Sequence, residues 1–208
     1  MIPQAKITTI SYGAEMPVKF DDSVLTEYNL TEKNYFLVVA RLVPENNLQM
    51  ILNSFAGYKG KKNLVVVGST ADNPFAKTIS NNRSEQIIFT GGIYQKEKLD
   101  SLRKNCFAYI HGHSVGGTNP ALLEAMASNC LCICHDNVFN REVAGENQNY
   151  FRNHEELIAK LNNLENNPDS GIRFAELTFQ RVRNYYSWEK IASQYEALFH
   201  SLLPDRKS

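Results

Sequence analysis

The apolar residues of this chain gather in short, nearly unbroken runs. YFLVVAR (35–41), NLVVVGS (63–69), QIIFTGG (86–92), CFAYIHG (106–112) and CLCICHD (130–136) are each only a few residues long and apolar almost throughout. A strand covered on one face alternates polar and apolar positions, whereas a strand covered on both faces does not. The five runs therefore read as strands buried between layers of helices. Between them stand segments of helical character: LQMILNSFAGY, KEKLDSLRKN and ALLEAMASN. Strand–helix alternation at this spacing predicts βαβ units and a parallel sheet. A weaker run, QNYF (148–151), predicts a further strand. Two helical stretches close the chain. HEELIAKLNNLENN carries Leu157, Leu161 and Leu164 at helical spacing, and SWEKIASQYEALFHSLL carries Trp188, Ile191, Tyr195, Leu198 and Leu202. The expected fold is one doubly wound α/β domain over about 10–184, with a parallel sheet of about six strands. A closing helix is expected over about 187–203.

Composition narrows the function classes. The chain has 208 residues, 43% of them hydrophobic, enough for one large domain with a real core. Twenty-two Lys and Arg balance twenty-two Asp and Glu. That balance gives no electrostatic reason to expect nucleic acid or an anionic membrane as the main partner. No apolar run approaches the ~18 residues of a membrane span, and MIPQAKITTISYG has neither the basic end nor the apolar stretch of a signal peptide. A cytoplasmic protein is expected. The four cysteines are Cys106, Cys130, Cys132 and Cys134. Three of them alternate, so on a strand they share one face. They read as buried thiols of a reducing compartment, with a metal site built on His135 or His113 as the rarer alternative.

Ligands of open parallel sheets bind at the carboxyl ends of the strands. Neither GxGxxG nor a Walker lysine loop is present, so a phosphate site has to be built otherwise. Three strand ends carry chemistry. In ARLVPENN (40–47), Arg41 either holds a phosphate through paired hydrogen bonds or pairs with Glu45 or another acid. In FTGGIYQKEKL (89–99), Gly91 and Gly92 let backbone approach a ligand, and Ile93 and Tyr94 could flank a flat base. The alternative is a glycine turn with an aromatic ring on it. In HGHSVGGTNPALLEAMA (111–127), Gly116 and Gly117 supply a turn, Thr118 or Asn119 caps a helix, and Pro120 suits its first position. That helix start is an anion site by its unpaired N–H groups. The helix reads as apolar on almost every side and hence buried. Glu124 within it must then be satisfied, either by sugar hydroxyls in the cleft or by neighbouring backbone or a lysine. The first alternative predicts a partly hydrated carboxylate with no strong salt bridge. His111 and His113 stand two apart with no third metal ligand nearby in sequence. His111 is expected to pack and His113 to line the cleft.

At these residues the chain resembles the C-terminal half of a retaining glycosyltransferase of the GT-B fold, glycosyltransferase family 4. ISYGAEMP (10–17) resembles the segment where that family's chain enters its second domain, and VVARLVPENN its donor-phosphate motif. NPALLEAMA resembles the end of its E-x7-E motif, and YYSWEKIASQYEALF (185–199) its closing helix. HGHSVGGTNPALLEAMA together with NREVAG (140–145) is most similar to rhamnosyltransferase-like members. The resemblance implies a Rossmann-like half of a GT-B fold and a nucleoside-diphosphate sugar as donor. It implies transfer of a hexosyl or deoxyhexosyl group, such as rhamnosyl, to a glycan or lipid-linked acceptor. It implies catalytic roles for Arg41 on the diphosphate and Glu124 on the ribose. Gly116, Gly117, Thr118 and Asn119 would contact sugar and phosphate, Gly92, Ile93 and Tyr94 would surround the base, and Gly13 and His113 would line the donor site. The family's lysine after P-E is Asn46 here, and the first glutamate of its E-x7-E falls on Gly116. The resemblance also implies that the N-terminal acceptor domain is missing, so this chain alone is an incomplete enzyme. It would be a shortened chain or one half of a split enzyme, peripheral to a membrane if its acceptor is a lipid. No metal and no separate cofactor are expected. The alternatives are a non-catalytic nucleotide-sugar-binding module and one half of a nucleotide-sugar epimerase.

Overall fold

The computed structural model describes residues 7–71, 73–81, 84–146 and 149–203. Six strands form one parallel sheet: β1 (Tyr35–Val39), β2 (Asn63–Val67), β3 (Ile87–Gly91), β4 (Ala108–His111), β5 (Cys132–His135) and β6 (Asn149–Phe151). Their order is β3-β2-β1-β4-β5-β6. The chain winds outward from β1 to β3, then returns to β4 and winds outward the other way. The switch point lies between β1 and β4, which pair through Phe36↔Ala108 and Leu37↔Tyr109. The connections leaving β1 and β4 diverge there, which opens a crevice at the carboxyl edge.

Alternation along each strand divides the core into two layers. Tyr35, Leu37, Val65, Val67, Tyr109, Cys132 and Cys134 pack on one face with Leu102, Leu122, Leu123 and Met126. Those partners come from α4 (Lys96–Asn105) and α5 (Pro120–Ala127). Phe36, Val38, Leu64, Val66, Ile110, Ile133 and Phe151 pack on the other face. There they meet Ile51 and Phe55 of α2 (Leu48–Ala56) and Leu157 and Leu161 of α7 (His154–Asn166). Each such side chain contributes about 1.5–3 kcal/mol by leaving water. Burial on both faces explains why the strand sequences do not alternate. All four cysteines are buried and free, as their spacing predicts. Cys106 and Cys130 lie 3.9 Å apart at sulfur, and both donate to the carbonyl of Arg103.

Four helices were not predicted from the pattern: α1 (Ser23–Glu27), α3 (Pro74–Ser80), α6 (Val138–Ala144) and α8 (Ile172–Arg181). The first three are five to seven residues long, too short to show a period. In α8, Ile172 and Leu177 stay exposed, so its apolar residues do not mark one buried stripe. Of the predicted QNYF strand, Asn149–Phe151 form β6, and Gln148 lies outside the described residues. A π-helical segment, Val182–Tyr186, leads into the closing helix α9 (Trp188–Leu202), capped by Ser187. Only Ile191 of α9 is buried, while Trp188, Tyr195, Phe199 and Leu202 are exposed. The start and end of the fold meet: Ala14 N–H donates to Tyr186 O at 2.8 Å, and Ala14 bridges Ser187. Among the described residues no helix is long and apolar enough to cross a membrane.

Candidate functional site

The segments that follow β1 and β4 are laced together by polar contacts. Ser114 donates twice to Glu45 O, from its N–H at 3.0 Å and from its hydroxyl at 2.8 Å. Asn47 Nδ2 donates to Gly112 O at 2.8 Å. Asn46 Nδ2 donates to Arg41 O at 2.7 Å, while its Oδ1 lies 2.7 Å from His113 Nδ1. From the opposite side, Asn137 and Asn140 donate to His113 O at 3.0 and 2.9 Å. The close approach depends on Gly112, where a β-carbon would stand 2.2 Å from Asn46 O.

This lacing sets the walls of a cavity of about 250 Å³ at the switch point, lined among others by Arg41, Asn46, His111, His113, Asn119 and Pro120. Arg41 is exposed and, among the described residues, in no ion pair. The alternative pairing with Glu45 is not formed. His111 is buried, as expected, and His113 is half-buried at the cavity wall. Burial, reinforced by the nearby His113 and His135, pushes the His111 imidazole down to about 3. Burial also lowers His113, with the Arg41 charge acting the same way and the Val115 backbone and Glu45 opposing. The cavity therefore joins Arg41, unpaired among the described residues, to two imidazoles whose protonation burial disfavours. Among the described residues no group of three potential ligands is placed to hold a metal ion.

A second cavity of about 220 Å³ shares Pro120 with the first and is lined by Tyr12, Gly13, Glu15, Lys96, Asp100, Glu124 and Trp188. The Trp188 indole covers Gly13 so closely that a β-carbon there would stand 2.7 Å from the ring. Glu124 bears out one expectation, a partly hydrated carboxylate, and corrects another, that no strong salt bridge holds it. Helix α5 buries Leu122, Leu123, Ala125, Met126 and Ala127, but Glu124 occupies its open side, with its side chain 46% exposed. The carboxylate is also paired with Arg103 Nη2. Arg103 is itself buried and donates to Asp100 Oδ1 at 3.0 Å, and Asp100 Oδ2 receives Lys96 Nζ at 2.6 Å. The partner lies on the neighbouring helix, 21 residues away, so no local pattern announces it. An Asp–Arg pair at i,i+3 in α4 was the available signal that a cation is held there.

Asn119 does cap α5, accepting from Ala121 N–H at 3.0 Å, so its amide nitrogen is the part left for a ligand. Gly116 adopts φ +90°, which side-chain-bearing residues rarely take, and with Gly117 forms the exposed turn before Thr118. Gly92, Ile93 and Tyr94 follow β3 and line neither cavity. Tyr94 is exposed and its ring lies over Gly92, while Ile93 packs on the core. They stand just ahead of Lys96, where α4 enters the second cavity.

Fold and site together define a doubly wound α/β domain with a polar crevice at its switch point. The chain belongs to the glycosyl transferases group 1 family, whose model matches residues 25–181. The fold is shared with the glycosyltransferase from Rickettsia africae ESF-5 (15% identity, 98% of this chain, 59% of that one, TM-score 0.83). It is shared with HepE from Anabaena in complex with UDP (13% identity, 87% of this chain, 52% of that one, TM-score 0.76). It also matches the C-terminal domain of a glycosyl transferase group 1 family protein, LpcC, from Francisella tularensis (19% identity, 85% and 96% coverage, TM-score 0.67). The chain thus spans little more than half the length of the first two.

Proposed function

We propose that this chain is the donor-binding domain, residues about 10–184 with closing helix 187–203, of a retaining glycosyltransferase of family 4. The enzyme moves a hexosyl or deoxyhexosyl group, rhamnosyl included, from a nucleoside-diphosphate sugar to a glycan or lipid-linked acceptor. The observation that carries this reading is Arg41, an arginine in no ion pair among the described residues, at the wall of the switch-point cavity. In this reading its guanidinium holds the diphosphate and stabilises the charge that develops as the sugar departs. Glu124, presented by Arg103 at the neighbouring cavity, accepts hydrogen bonds from ribose hydroxyls. Gly13 and the Gly116–Asn119 turn close around the donor, and Gly92, Ile93 and Tyr94 meet the base. The UDP bound by HepE supports a nucleoside diphosphate as the ligand class. An acceptor-binding domain completes the active site, and the exposed apolar side of α9 suits a second domain. Arg41→Ala is expected to weaken nucleoside-diphosphate binding by about 1.5–3 kcal/mol, the worth of a charged hydrogen bond. Because the Arg41 side chain is in no ion pair among the described residues, the melting temperature of the variant should stay unchanged. Calorimetric titration with UDP, dTDP and GDP checks this, and unaltered affinity would refute the role.

A further inference from the structure

His113 is held more firmly than a half-buried side chain requires. Its carbonyl accepts from Asn137 and Asn140, and its Nδ1 lies 2.7 Å from Asn46 Oδ1. The other end of Asn46 decides the chemistry. Nδ2 donates to the Arg41 carbonyl at 2.7 Å, and a carbonyl can only accept, so the atom facing the imidazole is the amide oxygen. The ring nitrogen opposite must then carry the hydrogen, and Nε2 bears the lone pair. Nε2 looks across the glycine turn. A β-carbon at Gly116 would stand 3.7 Å from it, and at Gly117 nothing lies within 4 Å. A lone pair repels the anionic oxygens of a diphosphate and attracts the proton of a hydroxyl. The cation suited to the diphosphate, Arg41, lines the same cavity. One cavity thus holds both a cation suited to a diphosphate and an acceptor suited to a hydroxyl.

We infer that His113 is a specificity-determining residue of the sugar subsite, its Nε2 accepting a hydrogen bond from a hydroxyl of the nucleotide-borne sugar over the Gly116–Gly117 turn. Asn46 is the positioning residue that fixes the tautomer. The inference rests on the donor-binding reading above, and the test separates the two. The whole chain is titrated with UDP, dTDP and GDP and with their hexosyl conjugates. His113→Asn keeps an amide donor towards Asn46 but places no atom at Nε2. It should lower the ratio of conjugate affinity to diphosphate affinity by about three- to tenfold, the worth of one hydrogen bond. His113→Gln, whose amide oxygen reaches the place of Nε2, should recover part of that ratio. An equal loss for both ligands, or no loss, overturns the inference while the donor-site reading stands. Binding of no nucleoside diphosphate by the unmodified chain sinks that reading and the inference with it. A measurement without substitution covers variants that do not fold. Imidazole 15N resonances of the unmodified chain should report hydrogen on Nδ1 of His113, and Nε2 should shift more with the conjugate than with the diphosphate. Hydrogen on Nε2 overturns the inference.

Discussion

Glu124 and Arg103 hold each other between α5 and α4, and the consequence differs for the two partners. Arg103 is 2% exposed and Glu124 46% exposed, so the charge at risk is the arginine's. Glu124→Gln keeps an acceptor oxygen for Arg103 but removes the countercharge. It should cost about 1–2 kcal/mol of stability, less than the ~3–5 kcal/mol of a fully buried broken pair, because water reaches Glu124 and Asp100 remains. In the donor-binding reading it also weakens nucleotide binding. Thermal denaturation and nucleotide titration of the one variant check both, and lost stability with unaltered binding would leave Glu124 a structural residue only. His111 carries a pH dependence. Its folded form binds a proton only near 3, against about 6.5 when free, so the unfolded chain takes up the proton first. Stability is complete above about 6.5 and declines as pH falls from there towards 3. His113 and His135 act in the same direction, burial being the first cause in each. Carboxylates such as Asp136, lowered by its hydrogen bond to Arg141, act only below about pH 4. The melting temperature at pH 5 should therefore lie below that at pH 7.5, and His111→Leu should narrow the gap. At this scale the sequence indicates Arg41, His111 and His113 through their places at strand ends. It does not reveal the Arg103–Glu124 pair or the role of Asn46, because the partners are brought close only by tertiary folding.

The element that organises the crevice is the turn between β1 and α2. Asn47 takes φ 51°, in the left-handed region, and from there reaches Gly112 O. Asparagine tolerates that conformation better than other side chains, while glycine tolerates it best. Asn47→Ala should cost about 1.5–3 kcal/mol, combining backbone strain with a lost hydrogen bond. Asn47→Gly should cost less, since only the bond is lost. Urea denaturation of the pair checks the order, and equal losses would assign the whole effect to the hydrogen bond. The strands are legible in sequence because each central one is buried on both faces, which leaves an apolar run no loop would carry. Helices α2, α4, α5, α7 and α9 are legible by length and period. The three shortest are fixed by tertiary context, and two of them show only a side-chain cap, Asn73 for α3 and Asn137 for α6.

At the scale of the whole molecule, α9 leaves an apolar surface uncovered among the described residues. Trp188, Tyr195, Phe199, Leu202 and Leu203 are 43–72% exposed, and all but Leu202 line an apolar groove of about 540 Å³. Exposed apolar patches of this kind drive association. The isolated chain should self-associate with rising concentration, and Phe199→Ser together with Leu202→Ser should suppress this without lowering the melting temperature. Sedimentation velocity checks it, and a monomer at every concentration would show that the groove is innocuous. The contact between Ala14 and Tyr186 has a different consequence, for synthesis. Nearly the whole chain lies between those two residues, so a chain growing from its N-terminus can assemble all six strands before that contact exists. Arg41 and its cavity belong to the part made early. The cavity around Glu124 does not, since Trp188 supplies one wall and Tyr12 and Gly13 settle only once Tyr186 has arrived. On the ribosome, the domain acquires the Arg41 half of its crevice first, and the Glu124 half is finished only as the last helix emerges.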